Sequence, residues 1–154
     1  IPFVGNFAYL IPLRAANARL NFGKLGATAN HYENDRYGAT FAATLYGSMP
    51  TDRLHVTWDI AAPRTQARML GDAAPVVPSG APAYEPHHLT AAAIIDIPGD
   101  IDALLASDPA AARDWRMRLR ATLPQAFSDG YAITEFVPSA TPGGNPSLLL
   151  TRQE

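Results

Sequence analysis

The clearest periodicity lies just past the turn Pro50-Thr51-Asp52-Arg53, where Leu54, Val56, Trp58 and Ile60 alternate with His55, Thr57 and Asp59. A period of two with the apolar side chains on one side predicts a half-buried strand with one wet face. Residues 1–12, IPFVGNFAYLIP, are apolar and aromatic without a helical period, which predicts a buried strand, broken near Gly5. Pro12 suits the first turn of a helix, and LRAANARLNFGKL supplies it, with Ala16, Leu20 and Leu25 expected on one face. Lys24 falls in its last turn and Gly26 just beyond, where helices commonly stop. Residues 27–33 read as a strand, 37–47 as a short helix ending at Gly47, and 65–70 as another short helix.

Residues 73–88 are rich in proline and carry no period, so they read as a linker. Beyond it, 91–97 reads as a strand and 100–106 as a short helix. Asp108 is an N-cap with Pro109 at the first helical position, and Trp115, Leu119, Leu123 and Phe127 give the longer helix that follows an apolar stripe. Pro124 lacks an N–H to donate to the Arg120 carbonyl and is expected to kink or end the regular part, while Gly130 stops it. Residues 131–138 and 147–152 form a hairpin across Pro142-Gly143-Gly144-Asn145. Trp58 and Trp115 are expected to be buried core anchors, and no internal repeat is visible. The expected class is α/β (α+β), a mixed sheet with flanking helices. Residues 1–72 form a strand-helix-strand-helix-strand segment, 73–88 a linker and 89–154 a β-α-α-β-β unit.

Composition narrows the function. The 154 residues carry 12 Lys and Arg against 14 Asp and Glu, a net charge of −2, which argues against nucleic acid or an anionic membrane surface as a partner. There is no cysteine, hence no disulfide frame and no thiolate or Cys-ligated metal chemistry. No apolar run is long enough to span a membrane and no secretory leader opens the sequence, so a cytoplasmic location is expected. The first residue is Ile1 rather than Met, which leads to the expectation that the chain belongs to something longer.

The most specific stretch is Asn17-Ala18-Arg19-Leu20-Asn21-Phe22-Gly23-Lys24-Leu25-Gly26. It resembles the fourth helix of the GNAT acyltransferase fold. Tyr37-Gly38, Pro50-Thr51-Asp52-Arg53-Leu54, Trp115-Arg116, Arg120, Ala126-Phe127 and Gly130-Tyr131 follow in the order found in one branch of predicted GNAT acetyltransferases. The resemblance implies the carboxyl-terminal half of such a protein. It also implies transfer of an acyl group from acetyl-CoA or another acyl-CoA to an amine, between two splayed parallel strands of which residues 7–11 would be one wall. It places Asn17 and Asn21 on the cofactor.

The departures bear on activity. The Arg/Gln-x-x-Gly-x-Gly/Ala pyrophosphate loop is absent from the sequence, and Phe22 stands where the family commonly has a tyrosine acid. The expectation is therefore part of an N-acyltransferase, inactive as this chain alone. Residues 1–12 would take up an amino-terminal half or a second copy. The competing reading is a non-catalytic binding or structural module that kept the fold.

Other residues are candidates for chemistry. Asp52 and Arg53 are candidates to position a substrate, against a plain turn salt bridge or strand cap. Arg113, Arg116 and Arg120 share one helix face and could meet phosphates, although such a stripe is more often the solvated side. Arg116 and Arg120 join Asp52 and Arg53 as substrate-binding candidates. His55 and Asp59 lie on one strand face and allow a His–carboxylate pair, but no nucleophilic serine elbow accompanies them. His31 reads as a partly exposed strand position and His87-His88 as a loop pair, and no metal is expected.

Overall fold

A computed structural model describes residues 6–36, 50–71 and 80–153. The expected helix over 37–47 lies outside them, as do the first five residues and the middle of the Pro-rich segment. The elements are β1 (Asn6–Pro12), α1 (Ala15–Ala18), β2 (Thr28–Glu33), β3 (Arg53–Asp59), α2 (Pro63–Met69), β4 (Ala92–Asp96), α3 (Ile101–Ser107), α4 (Pro109–Ser128), β5 (Tyr131–Val137) and β6 (Ser147–Arg152). The α1 helix runs on without a break as a π-helical stretch over Arg19–Lys24. The fold is α+β: helices pack on a six-stranded sheet in the order β1-β3-β2-β5-β6-β4.

Every pairing between these strands is antiparallel, where a mixed sheet was expected. The one parallel contact among the described residues is an isolated bridge from Ala83 to Ile94, by which the end of the Pro-rich segment lies along β4. The strands on the two sides of that segment belong to one sheet, joined where Ala29 of β2 faces Ile133 of β5.

The sheet order reads the same from either edge. In each half a strand leads through helix to a second strand two places away, and the third strand inserts between them: β1-β3-β2 on one side, β4-β6-β5 on the other. Both central strands carry a register irregularity directly after the junction pair, between Ala29 and His31 in β2 and between Ile133 and Glu135 in β5. The topology is thus a repeat of a strand-helix-strand-strand unit about the β2–β5 junction, although the sequence shows no repeat.

Local outcomes follow the pattern with informative exceptions. β3 is as its alternation predicts, with Leu54 and Val56 fully buried. β1 is not the buried strand expected. It is a sheet edge paired only with β3 among the described residues, and Phe7 is 46% exposed against the Trp58 ring. The α1 helix buries Ala18, Asn21 and Phe22 rather than Ala16, Leu20 and Leu25, because the i→i−5 bonding of the π-helical turn changes which side chains line up. The long helix α4 continues through Pro124 to Ser128 instead of ending there.

The buried stripe of α4 is Ala112, Arg116, Leu119, Leu123 and Ala126, a four-three spacing that turns Trp115 and Phe127 to its margins. Both tryptophans are half-buried, not core anchors; the Trp58 indole N–H donates to the Leu25 carbonyl at 2.8 Å. The cap expected at Asp108 forms, and Asp100, read as the first helical residue, is a cap as well; each carboxylate accepts the N–H three residues on, from Ala111 and Ala103.

Gly26 closes the π-helical turn at φ +75°, a region that favours glycine, and an added Cβ would come within 3.3 Å of the Thr65 backbone. Gly26→Ala is therefore expected to lower stability by more than about 1 kcal/mol, and Phe22→Ala by about 3–5 kcal/mol. Phe7→Ala, on the exposed edge, should cost less than about 1 kcal/mol. Urea denaturation of the three variants checks the ranking.

Candidate functional site

Asp52 stands at the entrance to β3 with none of its surface exposed. Burying a carboxylate is costly unless every lone pair finds a donor. Here four donors converge on it. Oδ2 accepts the Tyr32 hydroxyl at 2.5 Å and Arg120 Nε at 3.0 Å; Oδ1 accepts the Asp35 N–H at 2.8 Å and Arg120 Nη2 at 2.6 Å. The Arg120 contact is a two-pronged guanidinium–carboxylate pair. Asp35 in turn accepts from the Thr51 hydroxyl at 3.1 Å and the Thr51 N–H at 3.2 Å, which fixes the turn that delivers Asp52.

The electrostatics follow from this packing. Burial alone would raise the Asp52 pKa, but the bonds from Arg120, Tyr32 and Asp35 outweigh it and hold the carboxyl below its ordinary value. Burial, and then Asp52 itself, push the Tyr32 phenol well up, so it stays a donor. The bond to Asp52 raises Arg120.

One helical turn before Arg120, Arg116 lies in the same interior, 8% exposed. It acts on Tyr32, lowering a phenol pKa that burial and Asp52 raise, and its Nε and Nη1 have no hydrogen-bond partner among the described residues. Arg116 lines a cavity of about 50 Å³ together with Arg14, Arg53, Thr51, Asp102 and Ile101. Arg14 is paired with Asp102 at 3.1 Å, and Arg53 donates to the Asp52 carbonyl at 3.0 Å. The pocket wall therefore carries three guanidinium groups and one carboxylate.

All four substrate-binding candidates meet here: Asp52 and Arg120 as a pair, Arg116 beside them, and Arg53 on the cavity wall. The arginine face of α4, expected to be solvated, instead turns Arg116 and Arg120 inward and leaves Arg113 exposed. Tyr32 and Arg14, which no sequence feature marks, and Thr51, from the Pro50–Leu54 run, complete the site. No motif marks Tyr32, and only its place on a strand beside the Pro50–Arg53 turn hints at it.

The two cofactor candidates lie elsewhere, and both amides are used within the chain. Asn17 donates to the Pro12 carbonyl at 3.0 Å; Asn21 accepts the Tyr9 hydroxyl at 2.6 Å and donates to the Asn17 carbonyl at 2.8 Å. His55 pairs with Glu33 at 3.1 Å and stacks edge-on against His31, whereas Asp59 accepts the Ala61 N–H, so the His55–Asp59 pair that the strand face allows does not form. Among the described residues there is no cluster of His, Cys, Asp and Glu fit to hold a metal, and no helix long and apolar enough to cross a membrane.

A second charged cluster sits between α2 and β5. Glu135 accepts from Arg68 and lies 3.4 Å from Arg64, and burial raises its carboxyl despite both cations. It lines no cavity. Comparison with family models, curated proteins and solved structures finds no match for the chain.

A carboxyl whose folded pKa is depressed stabilises the fold above its unfolded value, and that contribution is lost as pH falls through the folded value. Acidification below about pH 4 should therefore destabilise the protein through Asp52. Arg120→Gln, which leaves the buried carboxylate without its cation, is expected to cost about 3 kcal/mol or more at neutral pH. It should also flatten the acid limb of a urea-midpoint-against-pH curve; an unchanged limb would mean that another carboxyl governs it.

Proposed function

We propose that this chain is part of an acyl-CoA-dependent N-acyltransferase, contributing the surface that recognises the acceptor, and that it does not acylate by itself. The observation that carries the reading is the β1-α1-β2-β3 unit. Its helix bears the Asn17–Gly26 stretch, and its outer strand β1 has no further pairing partner among the described residues. In an acyltransferase of the kind the sequence resembles, a neighbouring strand on that side completes the acyl-CoA cleft. A strand edge with unpaired N–H and C=O groups and an exposed Phe7 suits the addition of such a strand, from an acyl-CoA-binding half or a second copy. The acceptor would meet Arg53 and Arg116 on the cavity wall, with the buried Asp52–Arg120 pair holding that wall in place.

A second reading, a non-catalytic binding module with this fold, is favoured by two observations. Phe22, at the position of the family's common acid, is fully buried, and the Asn17 and Asn21 amides are engaged within the chain.

Calorimetry with acetyl-CoA is expected to show no saturable heat in the low micromolar range for this chain, because no glycine-rich phosphate loop is present in its sequence. Tight binding would overturn the proposal of an incomplete cofactor site. Light scattering over a concentration series is expected to show association that Phe7→Lys suppresses. A fixed single-chain mass for both proteins would remove the edge from the argument.

A further inference from the structure

We propose that the groove between the outer edge of β4 and the Trp115–Arg118 turn of α4 binds a short extended peptide that carries an apolar side chain beside a carboxylate. The inference rests on that groove and that strand edge, and it is independent of the acyltransferase reading.

The edge of β4 already takes one extended segment. The Ile94 N–H donates to the Pro82 carbonyl and the Ile94 carbonyl accepts the Tyr84 N–H, each at 2.8 Å, so residues 82–84 run parallel to the strand. Along one strand of an antiparallel pair, only every second residue turns both backbone groups to its partner. Ile94 turns its pair outward, so Ala92 and Asp96 do the same. The Ala92 carbonyl accepts the Thr90 hydroxyl at 2.8 Å. At Asp96 the ladder stops, because its next donor would be residue 86, a proline without an N–H. The chain turns away there, with the His88 N–H on the Glu85 carbonyl at 3.2 Å. The Asp96 N–H and C=O are left without a partner among the described residues. They are the groups with which a further extended chain would pair.

Beside this point lies a cavity of about 260 Å³ whose lining includes Tyr84, Ile95, Asp96, Trp115, Arg118 and Leu119. It falls just below the range of about 300–1,000 Å³ that holds drug-sized molecules, so it suits a short piece of peptide and not a whole cofactor. Ile95, Leu119 and the half-buried Trp115 make one wall apolar. The exposed Arg118 guanidinium lies 4.5 Å from the Trp115 ring centre and has no carboxylate partner among the described residues. The Asp96 carboxylate, which accepts the Ser147 hydroxyl at 2.6 Å, repels an anion and so directs it to the Arg118 end. Each feature selects one part of the ligand: a backbone to pair with Asp96, an apolar side chain for Trp115 and a carboxylate for Arg118.

The test is a titration of the intact chain with the peptide acetyl-Ala-Leu-Glu-Ala-amide, followed by the backbone amide resonance of Asp96 and the indole N–H of Trp115. The expected result is saturable shifts of both signals at millimolar peptide. Methylating the two inner amide nitrogens of the peptide removes their donors and is expected to weaken binding at least about fivefold. Replacing the peptide's glutamate by lysine should weaken it by a similar factor of about five. Arg118→Glu, at an exposed position, is expected to reverse that preference, so that the lysine peptide binds more tightly than the glutamate one. Linear shifts, equal binding of the methylated peptide, or a charge preference unchanged by Arg118→Glu would overturn the proposal. Movement of the same two signals on concentrating the chain without peptide would assign the groove to a second copy and overturn it as well.

Discussion

The structure depends most on the Asp52 carboxylate, because its four donors come from three separate parts of the chain. Tyr32 belongs to β2, Asp35 to the segment after it, and Arg120 to α4, far along the sequence. A buried ion pair is a poor source of net stability, since desolvation consumes most of the attraction. What it supplies is position. A helix held only by Leu119 and Leu123 could slide along the sheet by a turn at small loss, whereas a two-pronged contact to a fixed carboxylate tolerates no such shift. The cluster therefore sets where α4 crosses the first strand-helix-strand-strand unit.

That crossing matters because the two units meet through little else in the sheet. Between β2 and β5 a single facing pair, Ala29 and Ile133, marks the junction, and both strands lose their regular register immediately beyond it. A register irregularity raises local twist and bends a strand, so one on each side of the junction curves the sheet there. Side chains must then bridge what the ladder does not. α4 does this from one side through Arg120, and the α2 arginines do it through Glu135 and the Thr134 carbonyl.

Much of this was legible in the sequence, and the failures have physical causes. β3 and the capped helices were readable because alternation and capping are local properties, fixed by neighbours within a few residues. The palindromic sheet was not, because strand order is a matter of long-range pairing and the two units share no sequence pattern. The buried face of α1 was misjudged because a π-helical turn breaks the 3.6-residue period on which such a reading rests. In α4 the apolar residues at 115, 119, 123 and 127 suggested a stripe at every fourth position, but the buried one alternates four and three and passes through Arg116. A charged residue in a core stripe is invisible to any reading that assigns arginine to the solvent.

The same point explains why the site and not the edge was half legible. Asp52 and Arg53 drew notice through the turn they form and Arg116 and Arg120 through the helix face they share, and folding gathers them, because a buried charge can only be placed next to other polar groups. β1 behaves in the opposite way. Its apolar composition suggested burial, yet composition does not say which chain supplies the cover. Within the described residues β3 pairs with one edge, the other presents backbone groups, and Phe7 stays half exposed beside Trp58. Apolar sequence at an uncovered strand edge and charged sequence in a covered interior are both departures from the ordinary partition of side chains.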